Sequence, residues 1–175
     1  MKNVTAGDLM IPLDQYPHIP YWFTIRQAIA EIFYGELIIE NKRSLPRSVL
    51  VFDEEYKLLG IVRRRDIMAG FDPGSMFARK TNPNKQMFNL KVDSDLLEMS
   101  NFEILESFKQ KSEMSVAEVM LPIDVTLNHD DHLVKIIHEL SDYKHALIPV
   151  MQDGAVVGVV RTVETLNKIG ELLDI

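Results

Sequence analysis

The chain repeats itself, and the repeat limits the folds open to it more than any other feature. Residues 4–14, "VTAGDLMIPLD", lie over residues 114–124, "MSVAEVMLPID", 110 positions apart, with Met10, Pro12 and Asp14 matching Met120, Pro122 and Asp124. A second block follows in the same order. Residues 48–68, "SVLVFDEEYKLLGIVRRRDIM", lie over residues 146–166, "ALIPVMQDGAVVGVVRTVETL", 98 positions apart, and Gly60, Val62 and Arg63 match Gly158, Val160 and Arg161. The two spacings differ, so copy one holds twelve additional residues between its blocks, which we place in Phe33–Arg47.

Both copies read as the same succession of elements. Thr5 and Ser115 are N-cap candidates for a one-turn helix that ends before Pro12 or Pro122. An extended piece leads into an amphipathic helix, with Ile25, Ala28, Ile29 and Ile32 at helical spacing in copy one and Leu133, Ile136, Ile137 and Leu140 in copy two. Two apolar strands follow, "SVLVF" and "LLGIV" or "ALIPV" and "VVGVV", joined by the turns "DEEYK" or "QDGA". A closing helix opens near Arg65 or Val163. The pattern is β-α-β-β-α, twice, in an α/β (α+β) class.

Composition narrows the function. A formal charge of −7 and a pI near 5.2 disfavour nucleic acid, whose binding rests on phosphate neutralisation. The absence of cysteine removes disulfides, thiolate catalysis and Cys-based zinc sites and fits a reducing compartment. The N-terminus lacks the apolar run of a signal peptide, and no stretch approaches a membrane span, so the expected setting is cytoplasmic. No nucleophile–base pair, Walker-type glycine loop or complete metal set is present, so an enzyme is not expected.

The "DLM-P" and "EVM-P" segments, the strand–turn–strand "IPVMQDGAVVGVV", and the ends Gly60–Asp66 and Gly158–Glu164 make the chain resemble a tandem pair of CBS (cystathionine β-synthase) domains, a Bateman-type module. The resemblance covers about 4–70 and 114–173. It implies a first domain at 1–70, a partly helical connector at 71–113 and a second domain at 114–175, the two domains related by a pseudo-twofold axis with clefts between them. It also implies a regulatory rather than catalytic role, no required cofactor, a homodimer, and AMP, ADP or ATP as the regulatory ligand in the cleft.

In that family a Thr or Ser three residues after the glycine, and an Asp three further on, contact phosphate and ribose. Here those positions read Arg63 and Asp66 in copy one and Arg161 and Glu164 in copy two. Two readings of the arginines stand. They offer a charged, forked donor to a phosphate, or they fill the pocket and form ion pairs with nearby acids. Thr162 or Thr165 would serve as a displaced hydroxyl at the second site. The adenine would lie near Leu13 and Ile123, and His145 falls where the family's cleft lies. Arg64 and Arg65 align with Thr162 and Val163 and read as a solvated turn or as partners of neighbouring acids.

Other features read more plainly. In "NHDDHLVKIIH", Asn128 or Asp130 is expected to cap the helix rather than join His129, Asp131, His132 and His138 around a metal. Trp22 and Phe23 read as a packing anchor or dimer contact. In the connector, a helix is expected over Asp95–Lys111, with Leu96, Phe102, Leu105 and Phe108 partly on one face. Met68, Met76, Met87, Met99 and Met114 add adaptable apolar contacts. A ligand-free scaffold that regulates a partner protein through this connector is the alternative to nucleotide sensing.

Overall fold

The computed structural model describes residues 3–39, 42–72, 100–142 and 145–175. Copy one runs α1 (Ala6–Leu9), β1 (Ile11–Pro12), β2 (His18–Pro20), α2 (Ile25–Tyr34), a hairpin of β3 (Leu37–Ile39) and β4 (Lys42–Ser44), β5 (Ser48–Phe52), β6 (Leu58–Arg63) and α3 (Arg64–Phe71). The connector supplies α4 (Asn101–Ser112). Copy two runs β7 (Leu121–Pro122), β8 (Leu127–Asn128), α5 (Leu133–Leu140), β9 (Leu147–Gln152), β10 (Ala155–Arg161) and α6 (Thr162–Leu172), with a single 3-10 turn at Val116–Glu118 in place of α1.

The copies are interlocked by their lead-in segments. One sheet has the order β1-β10-β9-β8 and the other β2-β5-β6-β7, so the first short strand of each copy is the edge strand of the other copy's sheet. Ile11 and Pro12 face Val159 and Gly158; Leu121 and Pro122 face Ile61 and Gly60. The exchange extends to the cores. Val116 and Val119 are buried with Ile19, Ile25, Val49, Val51 and Val62 of copy one. Ala6 and Leu9 are buried with Leu127, Ile136, Ile148 and Val160 of copy two. Each fully buried valine or leucine contributes about 1.5–3 kcal/mol, so an exchanged lead-in is held mainly by its apolar side chains. Backbone bonds fix the register: Val116 N donates to Phe23 O at 2.7 Å, and Leu133 N to Val4 O at 3.0 Å.

Local chemistry sets the helix starts. At α2, Thr24 Oγ1 accepts from Gln27 N at 3.3 Å while Gln27 Oε1 accepts from Thr24 N at 2.8 Å, a reciprocal cap. Ala28 and Ile32 then face the core, and Ile29 lies toward solvent. The expected cap of α5 is corrected: the helix begins after His132, because Asp131 accepts from Asn128 N at 2.7 Å and from Lys135 Nζ at 2.7 Å, closing a turn before the helix. Of the connector helix expected over Asp95–Lys111, positions 95–99 lie outside the described residues, as do Met76, Met87 and Met99. The remainder is α4, capped by Ser100 with Glu103 and docked on copy one by Arg26 Nε–Glu113 (2.7 Å), Lys111 Nζ to Phe71 O (3.2 Å) and a Phe71–Phe108 edge contact. Trp22 is exposed, while Phe23 packs on the copy-one core. Among the described residues no helix is long and apolar enough to cross a membrane.

Candidate functional site

Strand β6 delivers Arg63 to the N-terminus of α3, and β10 delivers Arg161 to the N-terminus of α6. An acid at the third helical position reaches back toward the residue before the helix, a geometry that satisfies an otherwise unpaired backbone N–H. Asp66 Oδ2 accepts from Arg63 N at 2.9 Å and from Arg63 Nε at 2.8 Å, and Oδ1 accepts from Nη2 at 2.8 Å. Copy two repeats the fork: Arg161 Nε donates to Glu164 Oε2 at 2.8 Å and Nη2 to Oε1. The acids predicted to hold a ribose are therefore engaged by the arginine of their own turn.

Arg161 is the more enclosed of the two, its side chain 9% exposed against 21% for Arg63. Burial opposes its charge, and the facing Glu164 outweighs that, so its pKa lies above the usual value. Its Nη2 also donates to Ser44 Oγ at 3.3 Å. Beside it, Tyr16 is buried with its hydroxyl 2.9 Å from Ser48 Oγ. Burial pushes the Tyr16 pKa up, the Ser48 hydrogen bond and the Arg161 charge pull it down, and Glu164 adds to the rise.

A hydroxyl whose pKa is raised in the folded chain keeps its proton to higher pH than in the unfolded chain. Its contribution to stability is complete below pH 10 and is lost as pH climbs through the folded value. The alkaline loss of stability above pH 10 should therefore be shallower for Tyr16→Phe than for the parent chain, measured by urea denaturation at several pH values. At neutral pH the same variant should lose about 1 kcal/mol, because Ser48 Oγ forfeits its buried partner. Parallel alkaline limbs would show that Tyr16 does not set this dependence.

Between the two copies lies a cavity of about 970 Å³. Ile61, Leu121, Ile123, Val125 and Pro149 give it apolar surface, and Arg47, Arg63, Arg64, Arg65 and Arg161 line it together with Asp124. Arg64 Nη2 donates to Pro46 O at 3.0 Å, so it meets a carbonyl rather than a neighbouring acid. Of the predicted site residues, Arg63, Arg161, Ile123, His145 and Thr162 come together on this cavity. His145 Nδ1 stands 3.7 Å from Asp124 Oδ1. Asp66 and Leu13 lie outside its lining, and Glu164 lines a separate cavity of about 230 Å³ instead. Thr165, the other hydroxyl considered, donates to Arg161 O at 3.0 Å inside α6. Arg47 and the Tyr16–Ser48 pair escaped the sequence reading. The repeat itself offered one signal, since Arg47 aligns with His145.

Crossing of the lead-ins regroups the expected sites. Leu121–Ile123 of copy two lie beside Arg63 of copy one, while Ile11 and Pro12 of copy one lie beside copy two's β10. Among the described residues no group of three or more metal-ligating side chains converges; His129 Nδ1 and Asp130 Oδ1 make only a pair, at 3.1 Å.

Comparison with known proteins agrees with this geometry. Residues 116–169 match the CBS domain family. The CBS-pair protein CBSX2 from Arabidopsis thaliana superposes with a TM-score of 0.65 at 16% identity, covering 99% of this chain and 99% of that one. CBSX2 in complex with AMP gives a TM-score of 0.62 at 15% identity over 97% of this chain and 98% of that one. The cytosolic domain of the Mg2+ channel MgtE in complex with ATP gives 0.57 at 18% identity over 96% of this chain and 49% of that one. No curated protein sequence matches. With the CBS domain family matched over residues 116–169 and the CBS-pair fold extending through both copies, the chain has the fold of a tandem CBS module.

Proposed function

We propose that the chain is a non-catalytic regulatory module that senses an adenine nucleotide in the cleft between its two CBS domains. The observation that carries this reading is the 970 Å³ cavity, within the size range of small-molecule sites, where apolar surface meets a wall of five arginines in a chain of net charge −7. Arg63 and Arg161 are neutralised by their own acids. Arg47, Arg64 and Arg65 are exposed, and their charge is what a phosphate chain would meet. The base would lie on Ile61, Leu121 and Ile123. The AMP and ATP complexes of proteins with this fold support the ligand class. In this reading Asp66 orients Arg63 rather than holding a ribose. A ligand touching Arg64 and Arg65 of copy one together with Ile123 and Thr162 of copy two favours whichever packing of the copies makes both sets of contacts.

Equilibrium titration with AMP, ADP and ATP at low ionic strength tests it. Saturable binding is expected, tightening as phosphates are added, and Arg64→Gln and Arg65→Gln should each weaken ATP about tenfold, the effect of losing one charge-assisted contact at an open site. Absence of saturable binding for all three would overturn the nucleotide reading. It would favour the ligand-free scaffold, whose supporting observation is the saturation of Asp66 and Glu164 by Arg63 and Arg161.

A further inference from the structure

We propose that the β3–β4 hairpin, the insertion unique to copy one, fills the second of two pseudo-equivalent ligand positions, so that each chain takes one nucleotide, on the Leu121–Ile123 side. The ligand in this statement rests on the nucleotide reading above, whereas the plug rests on geometry alone. The repeat pairs Ile11 of one lead-in with Leu121 of the other. Both occupy edge strands against the same point of the opposite sheet, Ile11 opposite Val159 and Leu121 opposite Ile61. Their surroundings nevertheless differ: Leu121 is 37% exposed and lines the large cavity, while Ile11 is 3% exposed.

The difference follows the hairpin. Leu37 is buried in one cluster with Ile11 and Tyr16, and Ile39 packs against that cluster. Directly across from Leu37 on the paired strand, Ser44 accepts from Arg161. The hairpin and the Arg161–Glu164 pair thus form a partition. Ser44 and Arg161 face the 970 Å³ cavity, and Ile39 and Glu164 face the 230 Å³ one, which falls below the roughly 300 Å³ at which small-molecule pockets begin. Among the described residues copy two carries no hairpin at this point, and the next element after α5 is β9. The open position is accordingly the one with Arg63, Arg64 and Arg65 on its wall. The filled position is the one whose arginine is the more enclosed and bonded to the hairpin.

Two measurements test this. The first needs no ligand. The chain contains no cysteine, so a single introduced thiol reports on one place only. Under native conditions Leu121→Cys should react with iodoacetamide at least tenfold faster than Ile11→Cys. Replacing residues 36–46 with two glycines should bring the Ile11→Cys rate close to that of Leu121→Cys. Equal rates in the intact chain, or a slow Ile11→Cys in a folded shortened chain, would overturn the plug. Should the shortened chain not fold, Leu37→Ala in the intact hairpin replaces it, with a several-fold faster Ile11→Cys expected and no change overturning the proposal. The second measurement is calorimetric titration with ATP. One site per chain is expected, and two equivalent sites would overturn the inference while leaving the nucleotide reading standing. An absence of binding would remove the nucleotide reading alone, with the thiol rates still deciding the plug.

Discussion

Replacing Arg161 with methionine is expected to cost the fold about 3–5 kcal/mol, the penalty for leaving one member of a buried ion pair uncompensated. Glu164 would then hold its charge with a side chain only 12% exposed, next to the buried Tyr16. Ser44 would also lose its donor. The equivalent change in copy one, Arg63→Met, should cost less, about 1–2 kcal/mol. Arg63 lies closer to solvent than Arg161. Asp66, its side chain only 10% exposed, keeps its bond from the backbone N–H at 2.9 Å, a bond with no counterpart at Glu164 among the described contacts. Removing both charges in copy two, by Arg161→Met with Glu164→Leu, should restore most of the loss, since buried pairs are often replaceable by apolar groups of similar volume. Urea denaturation followed by circular dichroism measures all of these on one scale. Equal losses for Arg63→Met and Arg161→Met, or no recovery in the double variant, would refute the view that the backbone bond to Asp66 and the greater exposure of Arg63 cushion copy one and that charge compensation dominates in copy two.

How far the sequence could be read depended on the length of the signal. Strands β5, β6, β9 and β10 run for five to seven residues and carry apolar runs bounded by turns, so they were visible. The amphipathic spacing of α2 and α5 was equally plain. By contrast, β1 and β7 are two residues each, too short for any periodicity, and their exchange between copies is a tertiary fact that left no local mark. The exchange matters because it sets Leu121 and Pro122 against copy one's β6 and so brings Ile123 onto the same cavity as Arg63. Of the residues that the resemblance named, Arg63, Arg161, Ile123, His145 and Thr162 line the cavity between the copies. Although it named neither acid, the reading of Arg63 and Arg161 as ion-pair partners of nearby acids matches their turn back on Asp66 and Glu164. A local reason for that was nevertheless present in the sequence, because an acid three residues past an N-cap commonly reaches back to it. The insertion in copy one was detected by counting, but its destination was not. The short stretch "ELIIENKRS" contains Leu37 and Ser44, whose contacts, with Ile11 and Tyr16 and with Arg161, are made only in the folded chain.

Gly60→Ala and Gly158→Ala should each destabilise the chain, and for a reason other than backbone freedom. Neither residue is among the positive-φ glycines, which are confined to Gly154 among the described residues. The constraint is space. A Cβ on Gly60 would lie 2.3 Å from Leu121 O and 2.4 Å from Met120 Cγ. A Cβ on Gly158 would lie 2.5 Å from Ile11 O and 2.9 Å from Met10 Sδ. In both cases the obstacle is the backbone of the exchanged lead-in, so the edge strand must move away from β6 or β10. Overpacking of this kind costs about 1–3 kcal/mol, which in a domain of this size lowers Tm by roughly 2–4 °C per kcal/mol. Gly170→Ala supplies the control, since nothing lies within 4 Å of its Cβ position and it sits inside α6. Alanine is favoured over glycine within a helix by about 1 kcal/mol, so that change should raise Tm. Gly60→Ala should also weaken ATP, because it displaces Leu121 and Pro122 from the cavity wall. Gly158→Ala displaces Ile11 on the hairpin-covered side and should leave ATP affinity nearly unchanged. Thermal unfolding and ATP titration of the three variants test both halves of this expectation. A Gly60→Ala chain as stable as the parent would show that the exchanged strands do not need the close approach the paired glycines allow.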